Sequence, residues 1–309
     1  MPMLDVPAVR LERHSAPHQP HFLTTADASQ LKHDITTSRR STNEEWLASL
    51  NERKLAELDF HDADRAEHAD ANDGKGVDAA NRKYYATTRL SNRYLNNWIA
   101  ENAHGKVFLD YACGAGFMTV KAAQAGASLA IGLDISDVSV KKATRTAAQE
   151  GVTENTLFIQ GDCERTELPD NCIDTILCSG MLHHLDLSYA LPELRRILKP
   201  GGVILAVEAL DYNPIIKLYR LLTPALRTDW EKHHILSLAD VKFARRFFNV
   251  RNITYWHLVS LFATPLRNTS LFPAAMAVAD AIDQVILKIM PVSLLAWMFS
   301  FEMVKPIEK

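Results

Sequence analysis

Val107-Phe108-Leu109-Asp110-Tyr111-Ala112-Cys113-Gly114-Ala115-Gly116-Phe117 decides how this 309-residue chain is read. A hydrophobic run carries a carboxylate at its end, passes through a turn of small residues and enters a helical pattern. Small residues there let backbone approach a ligand, and a helix N-terminus offers it unpaired N–H groups. A Gly-x-Gly turn alone serves equally well as a plain strand-to-helix connection.

Outward from this run, short β-branched or aliphatic stretches alternate with helical patterns, which indicates β-α-β units and a parallel sheet. The pattern predicts strands over residues 106–111, 128–134, 156–160, 175–179 and 202–209. Helices are expected over 137–150, N-capped by Ser136, and over 187–198, stopped by Lys199-Pro200-Gly201-Gly202. Four strands end in residues able to do chemistry. These are Asp110, Asp134, the Gly161-Asp162-Cys163 run, and Ser179 followed by Gly180-Met181-Leu182-His183-His184. Open α/β sheets bind ligands at this edge, and an acid ending the second strand can take ribose hydroxyls.

This motif set resembles the class I S-adenosylmethionine-dependent methyltransferases, in particular the small-molecule branch related to ubiquinone and menaquinone biosynthesis. The match covers about residues 105–210. It implies an α/β, Rossmann-like fold: a mostly parallel seven-stranded sheet with helices on both faces, finished by strands near 251–257 and 298–304. It also implies S-adenosyl-L-methionine as cofactor. Asp110 and the turn through Ala112, Gly114 and Gly116 would hold its methionine end. Asp134 with Ile135 would take the ribose, Gly161, Asp162 and Cys163 the adenine, and Ser179 would stand near the sulfonium. Tyr85, on a helix expected over 81–103, would reach the methionine carboxylate. The family usually has Gly where this chain has Ala112, which bears on how closely backbone approaches there.

Methyl transfer asks the protein to position, desolvate and sometimes deprotonate an acceptor. His183 and His184 are the candidate bases, with helix capping or structural packing as the alternative role for each. Tyr84, Arg227, Glu231 and His233 are candidate acceptor contacts, or else core and surface residues. No His, Asp or Cys set has metal-ligand spacing, so no metal is expected. A nicotinamide dehydrogenase would need a further Gly or Ala after Gly116, where Met118 and Thr119 stand. A base-modifying enzyme usually carries Asn-Pro-Pro-Tyr, where Ser179-Gly180-Met181-Leu182 stands. A macromolecular methyltransferase and a non-catalytic cofactor-binding protein stay open as rivals.

A net charge of −3 leaves no basic footprint for nucleic acid, so the expected partner is a small molecule. Residues 1–40 are expected as a disordered tail and 41–104 as a helical N-terminal extension, with one helix near 43–58 and an acidic linker or frayed helix over 59–78. Residues 105–210 form the cofactor-binding core; 211–309 supply a helical cap, substrate helices and the last strands. The apolar C-terminal residues suit a greasy acceptor pocket, a membrane surface, core packing or a subunit interface. A homo-oligomer through the N- or C-terminal helices stays open. Four cysteines without C-x-x-C spacing and no signal-peptide pattern point to reduced thiols, a cytoplasmic location and no stable membrane insertion.

Overall fold

The computed structural model describes residues 25–38, 43–67 and 84–307. Among the described residues these helices precede the sheet: α1 (Thr25–Ser38), α2 (Asn43–Ala48), α3 (Glu52–Glu67) and α4 (Arg89–Ala103). The strands are β1 (Val107–Tyr111), β2 (Leu129–Asp134), β3 (Thr156–Gln160), β4 (Ile173–Ser179), β5 (Leu198–Ala209), β6 (Asn249–Trp256) and β7 (Met298–Val304). Between them lie α5 (Phe117–Gln124), α6 (Asp137–Gln149) and α7 (Leu187–Ile197). After β5 come α8 (Pro214–Leu222), α9 (Asp229–His233) and α10 (Leu238–Ala244), and α11 (Phe272–Ile286) separates the last two strands.

The sheet order is β3-β2-β1-β4-β5-β7-β6. β7 runs antiparallel to both of its neighbours, β5 and β6. Every residue of β1 and β2 is buried, because helices cover both faces. Side chains alternate accordingly: Val107, Leu109 and Tyr111 pack into one core cluster, and Phe108 joins Trp98, Ile99 and Leu177 in the other. Strand order reverses between β1 and β4, which opens a crevice beyond their C-terminal ends.

Four readings change. Residues 25–38, inside the expected tail, form α1, whose Ala28 and Ile35 are buried against the sheet. Residues 1–24, and the acidic stretch beyond Glu67, lie outside the described residues. The helix expected over 43–58 is two helices, because the Asn51 side chain accepts from Lys54 N and starts α3 afresh. That helix continues to Glu67 through part of the expected linker, with Glu57 and Asp62 bonded to other elements. The helix expected over 81–103 is interrupted: Tyr84 and Tyr85 are helical, Thr87 N and Thr88 N then donate to their carbonyls in a turn, and α4 starts at Arg89, while residues 81–83 lie outside the described residues.

Candidate active site

At the end of β1, Asp110 is buried and accepts from Thr119 N (3.0 Å) and Thr119 Oγ1 (2.8 Å). It therefore ties β1 to α5. Burial, the largest influence, lifts its pKa to about 7 against the Thr119 bonds, with the Asp134 charge adding to the rise. The turn that follows is left-handed at Ala112, Gly114 and Gly116, with φ of 62°, 52° and 77°. Gly114 N donates to Asp134 Oδ2 at 2.8 Å, and Ser136 N donates to Oδ1 at 3.0 Å. The second-strand carboxylate is thus pinned by the first-strand turn. A Cβ on Gly116 would lie 2.7 Å from Ala143 Cβ and 2.9 Å from the Phe158 ring, so this glycine lets the turn pack on α6 and β3.

Asp162 accepts from Glu164 N at 2.8 Å and pairs with Lys54 Nζ at 2.6 Å. Lys54 also reaches Glu164 at 2.9 Å, and Arg53 pairs with Glu164. Burial would lower the Lys54 pKa, but its bonds to the two acids prevail and raise it. These contacts lay α3 over the C-terminal edge of its own chain's sheet.

Beyond β4, the buried Glu208 from β5 accepts from Met181 N and Leu182 N and lies 2.8 Å from His183 Nδ1. His184 Nδ1 lies 2.7 Å from Glu231 Oε1 and 3.0 Å from Glu57 Oε2. Burial alone would lower the His184 pKa, yet the two carboxylates outweigh it and raise the value to about 9. The same contact overcomes burial at Glu231 and holds it down at about 2. A histidine kept charged in this way is a poor proton acceptor at neutral pH.

One cavity of about 570 Å³ takes in these groups. Ala112, Asp134, Ile135, Asp162, Cys163 and Ser179 line it, and so do His183 and His184. Tyr84, Tyr85, Arg227 and Glu231 are also in its wall, while His233 is exposed and outside it. Asp110, Gly114, Gly116 and Gly161 shape the cradle without lining the cavity. Tyr85 stacks on Trp297 and Tyr84 packs edge-on to Tyr219. The remaining wall includes Leu258, Leu261, Phe262 and Trp297.

Sequence reasoning missed Arg53, Lys54, Glu57, His61 and Glu208. Glu57 and His61 stand one helical turn apart on α3, a spacing that was legible, but nothing local showed what the helix would cover. Metal-ligand spacing is absent from the sequence, yet the fold brings Glu57, His61, His184 and Glu231 together, with ligand atoms within 4.8 Å of one another.

The donor set fits the implied cofactor. Acids stand at the ends of β2 and β3, a glycine turn held open by positive φ precedes α5, and each bonded carboxylate oxygen keeps a second lone pair for a hydroxyl or amino group. Residues 109–206 match the family model described as "Methyltransferase domain". Over these residues the core is similar to class I S-adenosylmethionine-dependent methyltransferases. The chain is 36% identical over 107 residues to the ubiquinone/menaquinone biosynthesis C-methyltransferase of a Marinomonas species, covering 34% of this chain and 43% of that one. It is 30% identical over 126 residues to a sterol 24-C-methyltransferase of Aspergillus fumigatus, covering 40% and 33%. The match thus spans between a third and a half of these curated relatives. Among solved structures, geranyl diphosphate C-methyltransferase from Streptomyces coelicolor shares the fold at a TM-score of 0.57 and 12% identity, covering 84% of this chain and all of that one. No helix among the described residues is long and apolar enough to cross a membrane.

Proposed function

We propose that the protein transfers the methyl group of S-adenosylmethionine to a small, lipophilic metabolite, with His183 as the base where the acceptor atom carries a proton. The observation that carries this reading is a single cavity whose wall joins Asp134, Asp162 and Ser179 to His183 and to Tyr84, Tyr219, Leu261, Phe262 and Trp297. The aromatic and aliphatic part of that wall suits a greasy acceptor. The relatives named for sterol and ubiquinone chemistry support the same class.

When bound, the cofactor supplies a methyl carbon on a positively charged sulfur. The chain's own residues do the rest. Asp134 and Asp162 hold hydroxyl and amino groups; α3, with Lys54 on Asp162, covers that edge and excludes water. Glu208 accepts the Nδ1 proton of His183, which leaves Nε2 as the basic nitrogen. An acceptor O–H or N–H would hand its proton there, while an acceptor carbon would need a neighbouring acidic group to do so.

The test is incubation of purified protein with methyl-labelled cofactor and fractionated lipid, polar-metabolite, nucleic-acid and protein pools. Label in a lipid-soluble small molecule supports the reading. Label in nucleic acid or protein alone, or tight cofactor binding without transfer to any pool, overturns it.

A further inference from the structure

We propose that Glu57, His61, His184 and Glu231 form a site for a divalent first-row transition metal in the wall of the acceptor cavity. Glu57 and His61 come from one face of α3, His184 from the turn after β4, and Glu231 from α9. His184 Nδ1 is 2.7 Å from Glu231 and 3.0 Å from Glu57, and His61 Nε2 is 3.7 Å from Glu57. Ligand atoms about 2.1 Å from one metal stand roughly 2.9–3.4 Å apart in octahedral and tetrahedral shells, close to this spacing. Two imidazoles and two carboxylates suit zinc, cobalt, iron or manganese, whereas magnesium and calcium favour all-oxygen shells.

The surroundings are those of an oriented ligand set. Glu57 and Glu231 are buried, and the second oxygen of Glu57 accepts from Thr228 Oγ1. Arg53 donates to the His184 carbonyl at 2.7 Å, and Arg220 donates to the Glu231 carbonyl. Such partners fix ligand orientation. All four side chains line the cavity beside His183, so an open coordination position faces the space assigned to the acceptor. An acceptor bearing an oxygen ligand is the class that would use it. The metal site rests on its own donor geometry, and its test does not require methyl transfer.

The test is equilibrium dialysis of full-length, chelator-stripped protein against Co²⁺, read by bound metal and by visible d–d absorption, then by displacement with Zn²⁺. One tightly held equivalent with ligand-field bands is expected, and weakening by about a hundredfold or more in both His61→Ala and Glu231→Gln. His14, His18 and His21 can hold cobalt elsewhere, so the variants decide. S-adenosylhomocysteine binding monitors their folding. Failure of the wild type to retain one equivalent, or equal retention by folded variants, overturns the site.

A different observation carries a second inference: we infer that α8, α11 and the turn at Ser260–Leu266 form a face that docks on an anionic lipid bilayer. Helix α11 is inside out. Its acids, Asp280 and Asp283, are buried on Arg89 and on the N–H groups of Leu258, Val259 and Ser260, while Val278, Ile282 and Val285 are exposed. Leu218, Leu221 and Phe262 extend the apolar exposure. Across residues 258–297 the exposed charges are Arg267 and Lys288, so the face is cationic on a net-anionic chain, while Lys217 of α8 pairs with Asp211. Apolar area with basic charge matches an anionic interface. Co-sedimentation should show binding to vesicles containing phosphatidylglycerol, weaker binding to pure phosphatidylcholine, and loss of most binding in Val278→Glu/Val285→Glu. Absence of vesicle binding, or a wild-type dimer that the same substitutions dissolve without any effect on vesicles, overturns it.

Discussion

Glu208 is fully buried at the end of β5, and its Oε2 lies 2.8 Å from His183 Nδ1 while Oε1 accepts from Met181 N and Leu182 N. One carboxylate thus fixes both the turn after β4 and the imidazole on it. Glu208→Gln keeps an acceptor for the peptides but presents an amide donor to Nδ1, which favours the other tautomer and removes the basic Nε2. With an O–H or N–H acceptor, kcat should fall by about a hundredfold or more, as should that of His183→Asn, while the cofactor Kd changes by less than about threefold. A parallel loss of cofactor affinity measured by calorimetry would assign Glu208 to structure alone.

Two positions of the turn after β1 predict stability changes of opposite sign. Ala112 holds φ at 62°, a conformation that costs an L-residue about 1 kcal/mol and glycine little. Ala112→Gly should therefore stabilise by up to about 1 kcal/mol after the entropy of the unfolded glycine is counted. Gly116→Ala meets Ala143 and Phe158 at 2.7–2.9 Å with φ at 77°, and should cost about 2–4 kcal/mol. Urea unfolding of both variants checks the pair; the same sign for both would refute the reading of the turn.

The sheet was legible because its signals are local. Each strand announces itself by its own hydrophobic run, and Asp134, Asp162 and Ser179 mark the edge where those runs stop. The N-terminal half of the site was not legible, for a reason equally physical. Lys54, Glu57 and His61 sit on an amphipathic helix whose pattern says that one face is covered but not by what. Their partners Asp162 and His184 are 108 and 127 residues away in sequence. Glu208 was visible as a charged residue at a strand end, yet its link to His183 depends on β4 and β5 being neighbours. Helix α1 escaped because Ala28, Leu31 and Ile35 are too sparse an apolar stripe to stand out from polar surroundings.

Lys54 is the tie between α3 and the β3 edge. It bridges Asp162 and Glu164, both of which are largely buried, so its removal takes the paired cation from Asp162 and leaves Glu164 with Arg53. Lys54→Ala should loosen α3 over the cradle and raise the Kd for S-adenosylhomocysteine by roughly tenfold, about 1.4 kcal/mol. The dissociation rate should account for most of the change, because the helix acts as a cover. Stopped-flow measurement checks it: an unchanged dissociation rate would mean that α3 covers the edge without holding the ligand.

His257 closes β6 in a left-handed conformation with φ at 64°, and only 1% of its surface is exposed. Its Nε2 lies 2.7 Å from Ser91 Oγ on α4, and its Nδ1 is 3.2 Å from Ser260 Oγ. Burial drives its pKa down to about 4, with the Asp283 charge opposing only in part. The unfolded chain takes up this proton near pH 6.5, whereas the folded protein resists it until about pH 4. The neutral ring's contribution is therefore whole above about pH 6.5 and is lost as pH falls through that window. Asn tolerates the left-handed backbone and can bond both hydroxyls without titrating. The melting temperature of the wild type should consequently fall faster than that of His257→Asn between about pH 6.5 and pH 4, the gap shifting in favour of the variant. Parallel melting curves across that range would show that the histidine does not carry the acid sensitivity.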